Sequence, residues 1–226
     1  MTNIASDNNK YWYERWKNKD TAFDQKLPNQ FLVKHLPKIK YSNTNICFVP
    51  LCGSSIDMLY LEQQGFKVVG VEISEQAILQ FFNTHNIPYK KNRTINDFKC
   101  FYSNKIKIVC ADILEINLDE IDQQPVLWYD RGGYVALPNA IRESYAKKMI
   151  EICGHQTQIL LNTTIHDGNP EQPPFSITQK ELKSTFNNQI NFELIEHYQI
   201  PELPEEKIQQ GRSFQEYNIY IGNRKG

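Results

Sequence analysis

The chain is predicted to fold as an α/β domain around a seven-stranded, mostly parallel, doubly wound sheet with one antiparallel edge strand. Three observations predict it. Short apolar strand candidates alternate with amphipathic stretches, the pattern of a parallel sheet covered by helices on both faces. The first two strand candidates are joined through a helical segment ending at a glycine, as a strand-helix-strand unit requires. The last two have no long helical pattern between them and should pair antiparallel at an edge, because a parallel pair needs a longer crossover. At 226 residues the chain suits one domain over residues 1–226, long enough to bury a sizeable core.

The strand candidates are 45–50, 67–72, 106–111, 126–130, 158–162, 192–200 and 217–222. Between the first two, residues 54–64 read as a helix closed by Gly65. Ser74 is placed to cap a helix over 75–85, whose Ile78, Phe81 and Phe82 share one face, with Pro88 beyond it. Pro138 opens a long helical pattern through Ile141, Tyr145, Met149 and Ile152, with Gly154 at its end.

Composition narrows the function classes. Charged residues make up 23% and apolar ones 40%, with a net charge of -1, so no basic field is offered to nucleic acid or anionic lipid. No apolar run approaches the roughly 20 residues of a membrane helix, and the start MTNIASDNNK lacks a signal peptide's apolar segment. The expectation is a cytoplasmic protein, a monomer, with neither membrane nor nucleic acid as partner. Five scattered cysteines with no C-x-x-C argue for reduced thiols over a disulfide framework or a zinc site. His35, His85, His155 and His197 show no metal-like spacing, so no metal is expected. His166-Asp167 could hold a base, but without a triad partner it reads as surface.

The stretch VPLCGSS, residues 49–55, follows a strand and precedes a helix. A pyrophosphate cradle uses G-x-G-x-x-G, whose several glycines let the backbone close on phosphate. Here Gly53 stands alone, yet Glu72 ends the second strand 19 residues later, where a carboxylate can take both ribose hydroxyls. These features suit a nucleoside ligand without phosphates. S-adenosylmethionine is one, with its ribose at Glu72, its amino-acid group at the turn 51–53 near a helix N-terminus, and its adenine at the end of the third strand. All three places lie at strand carboxyl ends. The bland alternative makes Gly53 a turn glycine and Glu72 a solvated strand end.

The residues also carry a resemblance. "VPLCGSSIDMLYLEQQGFKVVGVEISEQAILQFF" resembles the thiopurine S-methyltransferase family signature, P-L-C-G-K-S-x-D-M followed by G-x-x-V-x-G-V-E-x-S. "WYDRGGYVALP", with Arg142 and Tyr145 after it, is similar to that family's D-R-x-A-x-x-A-L-P and R-x-x-Y. "YWYERW" with "TAFDQ" resembles its N-terminal block, and "QPPFSI" its G-P-P-F-x-V. The matches run in family order from about Tyr11 to Tyr220. The resemblance implies a class I, Rossmann-like methyltransferase fold whose N-terminal helical segment, residues 1–44, caps the cofactor site. Carried over, the S-adenosylmethionine contacts would be Trp16, Leu51, Gly53, Glu72, Ile73, Asp112, Ile113, Asp130 and Arg131, and S-adenosylhomocysteine would be the product. Phe23, Pro173, Pro174 and Phe175 would bind substrate, and Arg131 would be the catalytic group. Four positions depart from the family pattern: Ser54 replaces a lysine, Asp24 a histidine, Gly133 an alanine and Gln172 a glycine.

Each residue has a plainer reading beside this one. Trp12 and Trp16 are four apart and could form the apolar face of a helix, a reading favoured for Trp12, whereas Trp16 suits a lid over a sulfonium. Asp112 could equally be a helix cap, and Asp130-Arg131 a structural ion pair. Methyl transfer from a sulfonium is an in-line displacement, so alignment and water exclusion supply much of the rate. A thiolate acceptor needs no general base. Arg131 would orient the anion, and Phe23 with Phe175 would form a flat slot for an aromatic or heterocyclic thiol. Small sulfur, selenium or tellurium species would use the same arginine. Two alternatives are an NAD-dependent oxidoreductase on a similar sheet, disfavoured by the missing glycines, and a cofactor-binding module without turnover, hinted at by Asp24 and Gln172.

Overall fold

A computed structural model describes residues 4–40 and 45–225. The expected N-terminal segment 1–44 therefore includes residues 1–3 and 41–44, which lie outside the described residues. Among the described residues a single sheet has nine strands in the order β3-β4-β5-β2-β1-β6-β7-β9-β8. They are β1 (Ile46–Pro50), β2 (Lys67–Glu72), β3 (Lys90–Arg93), β4 (Lys99–Tyr102), β5 (Ile106–Cys110), β6 (Leu127–Asp130), β7 (Gln158–His166), β8 (Ile190–Gln199) and β9 (Gln215–Arg224). The helices are α1 (Ile4–Lys17), α2 (Gln30–His35), α3 (Asp57–Gln63), α4 (Glu75–Thr84), α5 (Asn139–Ile152), α6 (Gln179–Thr185) and α7 (Glu205–Gln209).

The α/β class stands, and β5-β2-β1-β6-β7 form the parallel centre. Two expectations are corrected. The sheet has nine strands rather than seven, because β3 and β4 form a hairpin antiparallel to β5. In β3 the residues Lys90 to Arg93 are all exposed, so the strand carries no apolar alternation and is silent to periodicity. Nor is there one antiparallel strand at the edge: β4 runs against β3 and β5, and β9 against β7 and β8, leaving β3 and β8 outermost. Burial explains that order, since Asn218, Ile219 and Tyr220 of β9 are buried while most of β8 is at least partly exposed. The antiparallel pairing itself is as expected, because the short α7 cannot serve as a parallel crossover.

Alternation along the strands divides the core between two faces. Ile46 and Phe48 of β1 join Trp128, Tyr145, Met149 and Phe186 beneath α5 and α6. Cys47 and Val49 join Leu61, Phe66, Phe81 and Phe82 beneath α3 and α4. Ser74 caps α4 through its side chain, which accepts from the Ala77 amide, and Asn29 caps α2 by accepting from the Phe31 and Leu32 amides. The order reverses at β1, whose neighbours are β2 and β6, so the crevice at its carboxyl end is the topological switch point where ligands of open α/β sheets bind.

Candidate functional site

A cavity of about 860 Å³ opens at that switch point, beneath α1 and the segment leading to α2. The turn after β1 shapes one end. Leu51 (φ +50°) and Gly53 (φ +54°) both lie in the left-handed region, which is uncommon for a leucine and concentrates at ligand-binding turns. A Cβ on Gly53 would come within 2.9 Å of the Trp16 ring. The single glycine is thus where the backbone and the lid tryptophan meet. Trp16 is buried and packs edge-on against Phe23, ring centroids 5.4 Å apart.

Glu72 at the end of β2 is buried, and its carboxylate accepts from the Gly53 amide at 2.9 Å and the Ser74 amide at 2.8 Å. Burial raises its pKa above the ordinary carboxylate range, against the lowering effect of the Ser74, Gly53 and Ile73 amides. Each oxygen retains acceptor capacity beyond its one amide bond. Asp112 after β5 accepts from the Leu114 amide (2.9 Å) and from Asn9 Nδ2 (2.6 Å). It therefore organises its own turn, though no helix follows for it to cap, while tying α1 to the sheet.

Arg131 follows β6. Its Nε lies 3.5 Å from Asp57 Oδ2, and its Nη1 donates to the Phe23 carbonyl at 3.4 Å. Asp57 is fully buried and also accepts from the Asn29 amide (2.7 Å) and the Tyr129 hydroxyl (2.8 Å). Burial, then the Asp57 charge, pushes the Tyr129 hydroxyl well above its ordinary value, so it stays a donor. Arg131 is both ion-paired and part of the cavity wall.

Trp16, Phe23, Leu51, Gly53, Glu72, Ile73, Asp112, Ile113, Arg131, Pro173 and Pro174 line the cavity. The wall formed by the described residues omits Asp130 and Phe175. Asp130 accepts from the Gly133 and Tyr134 amides at 3.0 Å each and from the Tyr145 hydroxyl at 2.6 Å, which turns its carboxylate into a buried brace for the loop bearing Arg131. Phe175 packs against the core beneath Arg142, whose guanidinium lies 5.4 Å from its ring, and its amide donates to the Val135 carbonyl. Trp12, read as core, instead lines the cavity edge-on to Phe23 at 5.6 Å. His166, read as surface, is buried: its Nε2 donates to the Pro174 carbonyl at 2.7 Å and its Nδ1 accepts from the Gly168 amide, holding the Pro173-Pro174 corner.

The sequence reading missed Asn29, Asn162, Thr164, Gln215 and Tyr217, which form a polar side of the cavity. They come from the α2 cap and from β7 and β9, and no local motif joins them; only the strand pairing does. Among the described residues no group of three His, Cys, Asp or Glu side chains could hold a metal ion, and no helix is long and apolar enough to cross a membrane.

The topology and the β2 carboxylate beside a glycine turn define a class I methyltransferase of the S-adenosylmethionine-dependent kind. Solved structures agree on the fold. A Burkholderia thailandensis 1,6-didemethyltoxoflavin-N1-methyltransferase with bound S-adenosylhomocysteine is similar with a TM-score of 0.64 at 11% identity, over 96% of this chain and 87% of that one. A Synechocystis magnesium protoporphyrin IX methyltransferase with bound S-adenosylmethionine is similar with a TM-score of 0.61 at 10% identity, over 100% and 99%. The family model described as thiopurine S-methyltransferase matches residues 7–225. A protein named thiopurine S-methyltransferase from Francisella tularensis subsp. tularensis (strain SCHU S4) is 42% identical over 228 residues, the whole of both chains. One of that name from Psychrobacter cryohalolentis is 32% identical over 87% of this chain and 88% of its own. The chain belongs to the thiopurine S-methyltransferase family, is an S-adenosylmethionine-dependent methyltransferase, and takes a small-molecule substrate.

The residues present fit the cofactor. Gly53 leaves backbone exposed where a side chain would collide with Trp16, and Glu72 offers unfilled acceptor capacity to a ribose.

Proposed function

We propose that the enzyme methylates the sulfur of an aromatic or heterocyclic thiol of the thiopurine type. The observation that carries this reading is the pairing of an aromatic wall with a guanidinium across one cavity: Trp12, Trp16 and Phe23 on the lid side, Arg131 at the β6 rim. The names of the relatives support it.

When bound, S-adenosylmethionine supplies the electrophilic methyl group and leaves as S-adenosylhomocysteine. Glu72 would grip the ribose, Leu51 and Gly53 the amino-acid group, and Ile73, Asp112 and Ile113 the adenine end. Segment 1–44 would act as the cap, with Trp16 excluding water. Arg131 would attract and orient the thiolate, and Asp57 fixes the direction in which Arg131 points. Asp130 and Phe175 would act one layer behind, bracing the Arg131 loop and the Pro173-Pro174 corner. Because the acceptor arrives ionised, no side chain has to remove its proton. We read the enzyme as a cytoplasmic monomer without membrane or nucleic acid as partner, its net charge of -1 offering no basic field to either.

Small sulfur, selenium and tellurium anions form the competing acceptor class, since they need Arg131 and leave the aromatic wall idle. A methyl-transfer assay across thiopurines, thiophenols, hydrogen sulfide, selenite and tellurite tests the reading. Aromatic thiols should give the highest kcat/KM; a preference for the small anions over every aromatic thiol would overturn it.

A further inference from the structure

Two of the four departures from the family pattern meet in space. Asp24 and Ser54 stand where the family has a histidine and a lysine, and here the Ser54 hydroxyl donates to Asp24 Oδ2. Gln80 on α4 reaches the same pair, with its Nε2 3.4 Å from Asp24 Oδ2 and 3.4 Å from Ser54 Oγ. The corner thus presents a carboxylate braced by a hydroxyl and an amide.

The corner lies in the cavity wall directly after Gly53, at the end assigned to the ligand's amino-acid group. Asp24 Oδ1 has no hydrogen-bond partner among the described residues. The neighbouring carboxylates are engaged otherwise: Glu72 by the Gly53 and Ser74 amides, Asp57 by Tyr129, Asn29 and Arg131. Burial lifts the Asp24 carboxyl above its ordinary range, against the lowering effect of the Ser54 and Gln80 bonds and of the Arg131 and His85 charges. An amino acid bound at the turn brings an ammonium that needs an acceptor, and a charge-assisted bond is the stronger kind.

Building on the S-adenosylmethionine reading above, we propose that Asp24, braced by Ser54 and Gln80, binds the α-ammonium of the cofactor's methionyl group.

Titration calorimetry with S-adenosylhomocysteine and with its deamino analogue, which keeps the carboxylate and lacks the ammonium, tests this. Wild type should prefer S-adenosylhomocysteine by about tenfold or more, Asp24→Asn should bind the two alike, and Ser54→Ala should keep part of the preference. Equal affinity of wild type for both ligands overturns the proposal whether or not any variant folds. So does an Asp24→Asn protein that keeps the full preference, or one that loses turnover with unchanged affinity for S-adenosylhomocysteine. Failure of wild type to bind S-adenosylhomocysteine at all would instead remove the cofactor reading itself.

Discussion

The two halves of the cavity are built differently. The β1–β2 rim is local: the turn at Leu51 to Ser54, Glu72 and the Ser74 cap lie within a short run of chain and hydrogen-bond to one another. The β6–β7 rim is assembled from a distance. Arg131 needs Asp57 from α3 and the Phe23 carbonyl from the lid, and the Pro173-Pro174 corner needs His166. A site made by one strand-turn-helix unit is specified by neighbouring residues, whereas its partner depends on five separate segments meeting. The departures fall on both sides: Ser54 and the Asp24 bonded to it sit at the local turn, and Gln172 precedes the Pro173-Pro174 corner of the distant half.

The largest expected effect breaks the local half alone. Glu72→Ala should weaken S-adenosylhomocysteine binding by about 2 kcal/mol or more through loss of two charge-assisted bonds, roughly thirtyfold in Kd by calorimetry. Unchanged affinity would refute the ribose assignment. Arg131→Ala should act on the other half. Its kcat/KM for thiolates should fall about tenfold or more, and the loss should shrink for acceptors that arrive neutral; equal rates for mutant and wild type would leave Arg131 as an ion pair of Asp57 only. Tyr145→Phe removes one bond to the buried Asp130 brace. It should lower stability by about 1–2 kcal/mol, read as a fall in Tm, while calorimetric affinity for S-adenosylhomocysteine stays as in wild type. A variant with full stability and weakened binding would return Asp130 to the cofactor contacts.

The same division decides what the sequence made legible. The parallel centre, the Ser74 cap and the turn with Glu72 follow from local patterns: apolar runs, a capping serine, a glycine at a fixed distance from a carboxylate. The β3–β4 hairpin was illegible because an exposed edge strand of Lys90 to Arg93 has no apolar face to announce it. The β9 position was illegible because strand order is set by which faces find partners, not by sequence order. At the site, the resemblance carried Asp130 over with Arg131, and nothing local in the sequence announces that its carboxylate is taken by the Gly133 and Tyr134 amides and the Tyr145 hydroxyl. The resemblance carried Phe175 and the Pro173-Pro174 corner over together, though only the prolines reach the wall. The polar side from Asn29, Asn162 and Gln215 exists only after β7 and β9 pair.

The smallest expected effect concerns pH and separates the cofactor half from fold stability. Burial raises the Glu72 carboxyl. A ribose donating two hydroxyls favours its ionised form, so binding draws the pKa down and releases a proton. Affinity for S-adenosylhomocysteine should then be greatest above the raised pKa and fall as acid carries the solution below it. For folding the sign is opposite: a carboxyl whose folded-state pKa exceeds its unfolded value contributes stability that is complete at low pH and is lost as pH rises through the folded value. Acidification over the interval from neutral pH down through the raised pKa should therefore weaken binding in wild type without a matching loss of Tm from this group. Glu72→Gln keeps the side chain's shape and cannot titrate. Its weaker binding should keep only the smaller pH slope that the Asp24 carboxylate contributes, and a slope equal to wild type would show that Glu72 takes up no proton over that interval.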